Sequence, residues 1–272
     1  MFKRVGIIGV GFMGGSFSLA FKKKFSSSQI IGFARNDESF YKLKRLKIVD
    51  EVFKDLRKVV DVDLVVLGLP VKKIEEYFLK INPFLKKDTI VIDLGSTKKN
   101  IEKEAKKLKY ANNFVACHPL CGSEKSGAEF SQDNLYENNI CVITSSPKRK
   151  STQKIKKMWQ ALGMKVIFMS ADLHDKVCAY LSHLPHLISF SLVKTVPSNF
   201  FYFNLRSFQD LTRIAKSNIY LWKDIFLANQ KNVIKVLTHF INTLEDFKKI
   251  LGRKDEKALE KLLKKINKKV FK

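Results

Sequence analysis

The first 170 residues alternate short apolar runs with segments of helical periodicity. The apolar runs are residues 5–8, 30–34, 64–67, 90–92, 114–117, 141–144 and 166–168. Between several of them, apolar side chains recur at intervals of three and four, as in residues 74–84, 101–108 and 153–162. Alternation of this kind predicts βαβ units, and therefore a mainly parallel sheet with helices on both faces.

The pattern changes after Met169, and no further strand is expected from Asp172 onward. Ser170 is a candidate helix cap, and Pro197 marks a break in the helical pattern. Helices are predicted for residues 174–196, 208–215, 220–251 and 255–272, the last of them basic and amphipathic. We therefore predict an α/β Rossmann-type domain over residues 1–170 and an all-α domain over residues 171–272.

The chain of 272 residues is strongly basic, with 51 lysines and arginines against 26 acidic residues and a net charge of +25. The lysines are spread along the whole chain, whereas a nucleic-acid-reading patch should cluster on one element. No apolar run is long enough to cross a bilayer, and no small-residue cleavage site follows the apolar start. We expect a cytoplasmic protein with neither nucleic acid nor membrane as partner.

The four cysteines show no metal-binding spacing. Cys117, Cys121, Cys141 and Cys178 form no CxxC pair, and the four ligands that a structural zinc site needs are not visible. We expect reduced thiols and no metal.

A glycine-rich loop follows the first apolar run and opens the first helical segment. It reads Gly9-Val10-Gly11-Phe12-Met13-Gly14, and this position in a βαβ unit is the context that gives a GxGxxG motif its meaning. The first glycine allows a tight turn, the second lets the backbone approach a pyrophosphate, and the third permits close packing of helix on strand. We predict a dinucleotide site whose residues are Gly9, Gly11, Phe12, Met13 and Gly14, with Leu69 and Pro70 from a later strand end.

The end of the second strand leaves the choice between NAD and NADP open. Ala34 stands where an Asp or Glu usually accepts hydrogen bonds from the adenosine ribose. The next residue, Arg35, can pair with the 2′-phosphate of NADP, whereas Asn36 or Asp37 can still serve NAD. The hypothesis from sequence is that NADP is at least tolerated.

Several polar segments lie where ligands of open α/β sheets bind, just past predicted strand ends. These are residues 68–70, 93–98 and 118–127, and the helical domain adds residues 182–186 and 210–217. His183 and His186 are three residues apart and share one helix face. Pro185 is expected to kink that helix and to free backbone carbonyls.

Taken in order, residues 9–16, 95–98, 118–127, 182–186 and 210–217, followed by Trp222, resemble the prephenate dehydrogenase family over nearly the whole chain. The resemblance implies oxidative decarboxylation of prephenate to 4-hydroxyphenylpyruvate in tyrosine biosynthesis, or of arogenate to tyrosine. It also implies a homodimer built through the helical domain.

Matching the family motif assigns the proton-accepting role to His118, because a neutral imidazole can take the ring hydroxyl proton near neutral pH. Ser96 is expected to hydrogen-bond His118 or that hydroxyl. Arg213, a fork-shaped cation, should bind a substrate carboxylate. The remaining substrate-pocket residues expected from the resemblance are Ser123, Glu124, His183 and His186.

Two other function classes compete with this interpretation. The β-hydroxyacid dehydrogenases and imine reductases share the architecture, but they place a catalytic lysine and an asparagine near the domain junction, where this chain has histidines. A basic nucleic-acid-binding Rossmann protein rests on net charge alone, and it predicts steep salt dependence and binding without cofactor.

Overall fold

The fold was analysed in a computed structural model, which describes residues 1–122, 125–203 and 205–270. Six strands form one parallel sheet in the order β3-β2-β1-β4-β5-β6. They are β1 (Arg4–Ile8), β2 (Gln29–Phe33), β3 (Glu51–Phe53), β4 (Leu64–Leu67), β5 (Ile90–Asp93) and β6 (Phe114–Val115). The central strand β4 is buried at every position, as expected of a parallel strand covered on both faces. The parallel sheet with covering helices confirms the Rossmann-type prediction.

A second, three-stranded sheet was not predicted. It consists of β7 (Cys117–Leu120), β8 (Ile140–Ile143) and β9 (Lys165–Phe168). Strand β7 runs antiparallel to β8, whereas β9 runs parallel to it. The predicted strand over residues 114–117 is therefore wrong as a single element, because the chain leaves the first sheet after Val115 and enters the second at Cys117. This division places His118 inside a strand and not beyond a strand end.

Twelve α-helices accompany the strands in the described part of the chain. They are α1 (Phe12–Lys24), α2 (Asp37–Leu46), α3 (Leu56–Val60), α4 (Val71–Ile81), α5 (Lys99–Ala105), α6 (Lys150–Ala161), α7 (Ala171–Cys178), α8 (Leu184–Thr195), α9 (Arg206–Thr212), α10 (Ile219–Ala228), α11 (Gln230–Gly252) and α12 (Glu256–Val270). Ser170 caps α7, since its hydroxyl accepts a hydrogen bond from the Leu173 amide at 3.2 Å. The break at Pro197 is likewise confirmed, because α8 ends at Thr195.

The predicted helix over residues 174–196 is interrupted by one wider turn. Residues Ala179–His183 form a π-helical turn between α7 and α8. Pro185 follows it in the first turn of α8, where its missing N–H leaves the helical ladder incomplete. A π turn accommodates such a gap without ending the helix, and turns of this kind are frequent at functional sites.

A second interruption divides the helix predicted over residues 220–251. Asn229 separates α10 from α11 and has a non-helical backbone, with φ −110° and ψ 26°. Its buried side chain donates instead to the Asp175 carbonyl at 2.7 Å. The polar contact of this one side chain is a tertiary feature that helical periodicity does not reveal.

Contacts between residues group the chain into two compact units, Met1–Asn229 and Gln230–Lys272. Within the second unit, α11 and α12 pack on each other. The described residues contain no strand after β9, and the domain boundary near residue 170 stays a prediction. None of the helices described is both long and apolar enough to span a membrane.

Candidate active site

The glycine-rich loop joins β1 to α1 with the geometry of a dinucleotide cradle. Gly9 has φ +92°, a conformation that side-chain-bearing residues rarely adopt. A Cβ on Gly14 would lie 2.2 Å from the Gly9 carbonyl oxygen, so a larger residue would push α1 off the strand. A Cβ on Gly11 would meet nothing within 4 Å. Internal packing therefore does not require glycine at position 11, but close approach of a phosphate would.

The first turn of α1 leaves its backbone amides available to a ligand. Its N-cap is Gly11, which has no side chain to accept their hydrogen bonds, whereas side chains cap α2, α7 and α10. Free N–H groups and the positive end of the helix dipole together bind phosphate. These residues fit the pyrophosphate of a dinucleotide cofactor.

The other predicted cofactor residues surround this loop. Leu69 reaches it from the end of β4, since its side chain lies 2.8 Å from the position of a Cβ on Gly9. Pro70 precedes α4 and is exposed, whereas Phe12 is buried and Met13 half-buried at the start of α1. Their contacts with a cofactor stay predictions.

His118 lies at the end of a hydrogen-bonded chain of three side chains. Its Nδ1 is 2.7 Å from Nε2 of His174, and Nδ1 of His174 is 2.8 Å from Oδ1 of Asp175. Both His174 and Asp175 are buried. They occupy one turn of α7, so this helix supports a histidine that belongs to β7.

The hydrogen-bond partners of His118 and His174 determine which of their ring nitrogens carry protons. An ionised carboxylate only accepts hydrogen bonds, so Nδ1 of His174 carries a proton and, in the neutral ring, Nε2 is an acceptor. Nδ1 of His118 must then donate to it. The lone pair on Nε2 of His118 is left to accept a proton from a substrate.

Burial and neighbouring groups shift the pKa values of His118 and Asp175, the two residues at the ends of this hydrogen-bonded series. Burial lowers the pKa of His118 well below its ordinary value, and positive charge on His174 or Lys98 acts in the same direction. Burial alone would raise the pKa of the Asp175 carboxyl. Hydrogen bonds from His174 and from two backbone amides outweigh burial, and they lower that pKa below its ordinary value. The resting state thus holds a neutral His118 and an ionised Asp175.

A buried ion pair fixes the strand that carries His118. The Lys98 ammonium contacts the Asp93 carboxylate and donates to the Cys117 carbonyl at 2.6 Å, and both charged side chains are fully buried. Asp93 in turn accepts from the Cys117 amide at 3.1 Å. Removing one member of a buried pair leaves an uncompensated charge. This pair therefore holds the end of β5 against the first residue of β7.

Nε2 of His183 is a hydrogen-bond donor, whereas Nε2 of His186 is an acceptor. The Asn229 amide lies 3.2 Å from Nδ1 of His183, which leaves the proton of that ring on Nε2. His186 donates from Nδ1 to the Ser182 carbonyl at 2.9 Å, so its Nε2 is unprotonated in the neutral ring. Burial lowers the pKa of His183 to about 4 and also lowers that of His186. At neutral pH the two rings thus offer one donor and one acceptor.

Trp222 holds both of these rings in place. Its indole stacks on His186 with ring centres 3.5 Å apart and meets His183 edge-on at 6.0 Å. The charge of Arg213 acts on His186 and helps to lower its pKa. Arg213 also lines an open apolar groove of about 830 Å³. The predicted pair of histidines and the predicted arginine therefore lie close together.

Of the three remaining predicted residues, the structure describes only Ser96. Ser96 is half-buried, and the described part of the chain shows no hydrogen bond between Ser96 and His118. Contact of Ser96 with a substrate hydroxyl, the other alternative, stays a prediction. Ser123 and Glu124 lie outside the described residues.

Two family descriptions match almost the whole chain. Residues 17–168 match the prephenate dehydrogenase nucleotide-binding domain, and residues 170–265 match the prephenate dehydrogenase dimerization domain. The chain belongs to the prephenate dehydrogenase family. This membership decides against the β-hydroxyacid dehydrogenase alternative.

Individual members of the prephenate dehydrogenase family resemble the chain over most of its length. A cyclohexadienyl dehydrogenase of Zymomonas mobilis is 30% identical, covering 94% of this chain and 90% of the relative. A prephenate dehydrogenase of Lactococcus lactis is also 30% identical, over 95% and 74%. Among solved structures, the prephenate dehydrogenase of Aquifex aeolicus in complex with hydroxyphenyl propionate and NAD+ is 35% identical. It superposes with a TM-score of 0.91 over 99% of this chain and 97% of that one.

Sequence reasoning missed the residues that support the family's histidines. No role was predicted from the sequence for His174, Asp175, Asn229 or Lys98. The adjacent pair His174-Asp175 on a helical segment was a usable signal, because a carboxylate that orients an imidazole is a common arrangement in catalytic sites. Its link to His118, 56 residues away, is visible only in the fold.

The nitrogens of His118 and His174 and the sulfur of Cys178 lie within 4.8 Å of one another and are metal-ligand types. The distance between the His118 and His174 nitrogens fits a hydrogen bond better than two ligands of one metal ion. Two nitrogens of a tetrahedral zinc site are about 3.3 Å apart when each bond is about 2.05 Å long, whereas these two are 2.7 Å apart. Burial raises the pKa of the Cys178 thiol to about 12, so the thiol stays protonated.

Proposed function

We propose that this chain catalyses the oxidative decarboxylation of prephenate with transfer of a hydride to NAD(P)+, in tyrosine biosynthesis. The observation that carries the proposal is the hydrogen-bonded series from His118 through His174 to Asp175, from which an unprotonated Nε2 of His118 follows. His118 is tied to the carboxyl end of β5 through Cys117 and Asp93. Strand β5 is separated from β1 only by β4, so the histidine and the glycine loop share one edge of the sheet. Cofactor and substrate meet at this edge in open α/β folds.

The reaction needs a proton acceptor and a site for two carboxylates. When bound, the nicotinamide supplies the acceptor for the hydride from C4 of the substrate ring. Nε2 of His118 accepts the proton of the C4 hydroxyl, and loss of carbon dioxide makes the ring aromatic. The positive charge that then resides on the imidazole is stabilised by Asp175 through His174. The imidazolium then returns the proton to the phenolate oxygen, which gives the hydroxyl of the product. No covalent intermediate with the protein is required.

Arg213 binds a substrate carboxylate in this proposal, and its removal should chiefly raise KM. A charge-assisted hydrogen bond contributes about 1.5–3 kcal/mol, so Arg213→Ala should raise KM by about 10- to 100-fold, with a smaller change in kcat. Initial rates at varied prephenate concentration measure this. Arg206→Ala, an exposed arginine at the start of the same helical segment, is the matched control. An unchanged KM in Arg213→Ala would refute the assignment.

We further propose that the chain functions as a homodimer. Large apolar side chains are exposed in the segment that precedes and includes α9: Phe200, Phe201, Tyr202, Phe203, Leu205 and Leu211. Apolar surface of this extent is typical of an interaction site, and the matching family description names a dimerization domain. Sedimentation equilibrium tests the proposal, which requires twice the mass of one chain. The cytoplasmic location stays a prediction.

The direct test of function is reduced-cofactor formation, followed at 340 nm, with prephenate and arogenate each paired with NAD+ and NADP+. Activity with prephenate supports the proposal, whereas activity with arogenate alone would identify the alternative, an arogenate dehydrogenase of the same family. A folded protein that binds cofactor and is silent in all four reactions would refute the proposal.

A further inference from the structure

The end of β2 carries no group that can accept a hydrogen bond from the adenosine ribose. Ala34 follows this strand and is fully buried, and its amide donates to the Phe53 carbonyl at 2.9 Å. Its side chain is a methyl group. A dinucleotide in the glycine loop extends its adenosine toward this position, where a carboxylate normally selects NAD+. The main determinant of NAD+ selectivity is therefore absent from its usual place.

The two neighbouring residues that could replace it are occupied. The amide oxygen of Asn36 accepts a hydrogen bond from the Ser39 backbone at 3.0 Å and caps α2. The Asp37 carboxylate is paired with the Lys54 ammonium at 2.6 Å. The sequence left Asn36 or Asp37 open as acceptors for NAD+, and their contacts make both poor candidates.

Arg35, which lies between Ala34 and Asn36 in the chain, is exposed. It forms no hydrogen bond or ion pair with any residue that the structure describes. Burial raises the pKa of the Tyr77 phenol, and the positive charge of Arg35 opposes that rise. The charge of Arg35 thus acts on Tyr77, which belongs to the helix that follows β4.

The local charge favours an anion at this position. The Asp37 carboxylate, two residues from Arg35 in the chain, is paired with the Lys54 ammonium. A lysine thus neutralises the charge of this acid. A guanidinium with free N–H groups is the side chain best suited to bind a phosphate through two parallel hydrogen bonds.

We propose that this chain binds NADP+ in preference to NAD+, with the Arg35 guanidinium holding the adenosine 2′-phosphate. The proposal rests on the dinucleotide site of the proposed function, and it names the cofactor of that site. The missing carboxylate at Ala34 removes the repulsion that a 2′-phosphate would otherwise meet.

The test measures nucleotide binding without substrate or turnover. Isothermal titration compares adenosine 2′,5′-bisphosphate with 5′-AMP, two probes that differ only in the 2′-phosphate. The wild-type protein should bind the bisphosphate about 10- to 100-fold more tightly, as expected for a charge-assisted phosphate contact. Arg35→Gln should remove this difference and leave the affinity for 5′-AMP unchanged. The reciprocal variant, Ala34→Asp, should weaken binding of the bisphosphate and strengthen binding of 5′-AMP, because the new carboxylate repels the 2′-phosphate and accepts a hydrogen bond from a ribose hydroxyl.

A matched control separates local contact from net charge. Arg45→Gln removes the same charge from the last turn of α2, where the arginine is exposed, and should keep the wild-type preference. Equal binding of the two probes to the wild-type protein would overturn the NADP proposal alone. Absence of binding by both probes would overturn the dinucleotide site itself, and with it the proposed function.

Discussion

His118→Asn is expected to lower kcat by about 10²- to 10⁴-fold, the range typical for loss of a general base. The asparagine keeps a polar side chain of similar reach, but it has no lone pair basic enough to take the hydroxyl proton. The cofactor site lies on separate residues of the glycine loop, so affinity for NAD(P)+ should be unchanged. Steady-state rates with prephenate, together with cofactor titration of the same variant, measure both quantities.

The control for this variant is a second buried histidine, His183, which is not the proposed base. His183 is buried, and its ring keeps its proton on Nε2, so His183→Asn should affect KM more than kcat. If His118→Asn instead loses cofactor binding while it retains turnover at saturation, His118 is not the base.

Asp175→Asn should lower kcat by roughly 10²-fold, although Asp175 reaches the proposed base only through His174. An amide can neither stabilise an imidazolium nor enforce the proton position that leaves Nε2 of His118 free, and the equivalent change in a Ser-His-Asp triad costs about 10⁴-fold. The effect should be smaller here, because His174 stands between the acid and the base. KM should change little. Rates across a range of prephenate concentrations separate kcat from KM.

A double variant distinguishes positioning from general destabilisation. If Asp175 acts only through His118, adding Asp175→Asn to His118→Asn should cause no further loss of kcat, since residues that act as one unit are not additive. Asp172→Asn, on the same helix but exposed and paired with Lys99, should behave as wild type. A further loss in the double variant, multiplying the two single effects, would identify Asp175 as a structural residue alone.

The parallel sheet and the glycine loop were predictable because each depends on local sequence. Apolar runs predicted most strands of the first sheet, and the spacing of Gly9, Gly11 and Gly14 placed the cofactor loop. Strand β3 was not predicted because it has three residues and only Val52 among them is buried. The division of residues 114–117 between two sheets depends on pairing with β8, a long-range contact that no local pattern encodes.

The candidate site was predictable in its chemical groups but not in its connections. His118, His183, His186 and Arg213 were expected from motifs, and the structure places the last three together. The link from His118 to Asp175 requires β7 to lie against α7, which depends on the whole fold. The tautomers could not be predicted either, because each follows from a partner such as Asn229 or the Ser182 carbonyl.

The most direct test of the central claim, that a neutral His118 is the base, is the pH dependence of kcat/KM for prephenate. This parameter reports the ionisation of the free enzyme, and only the unprotonated imidazole is active. Because burial lowers the pKa of His118 well below 6.5, that form persists as the pH falls through 6.5. We predict that kcat/KM stays level from about pH 8 through pH 6.5 and declines only at clearly lower pH. A decline with an apparent pKa of 6.5 or above would contradict the assignment.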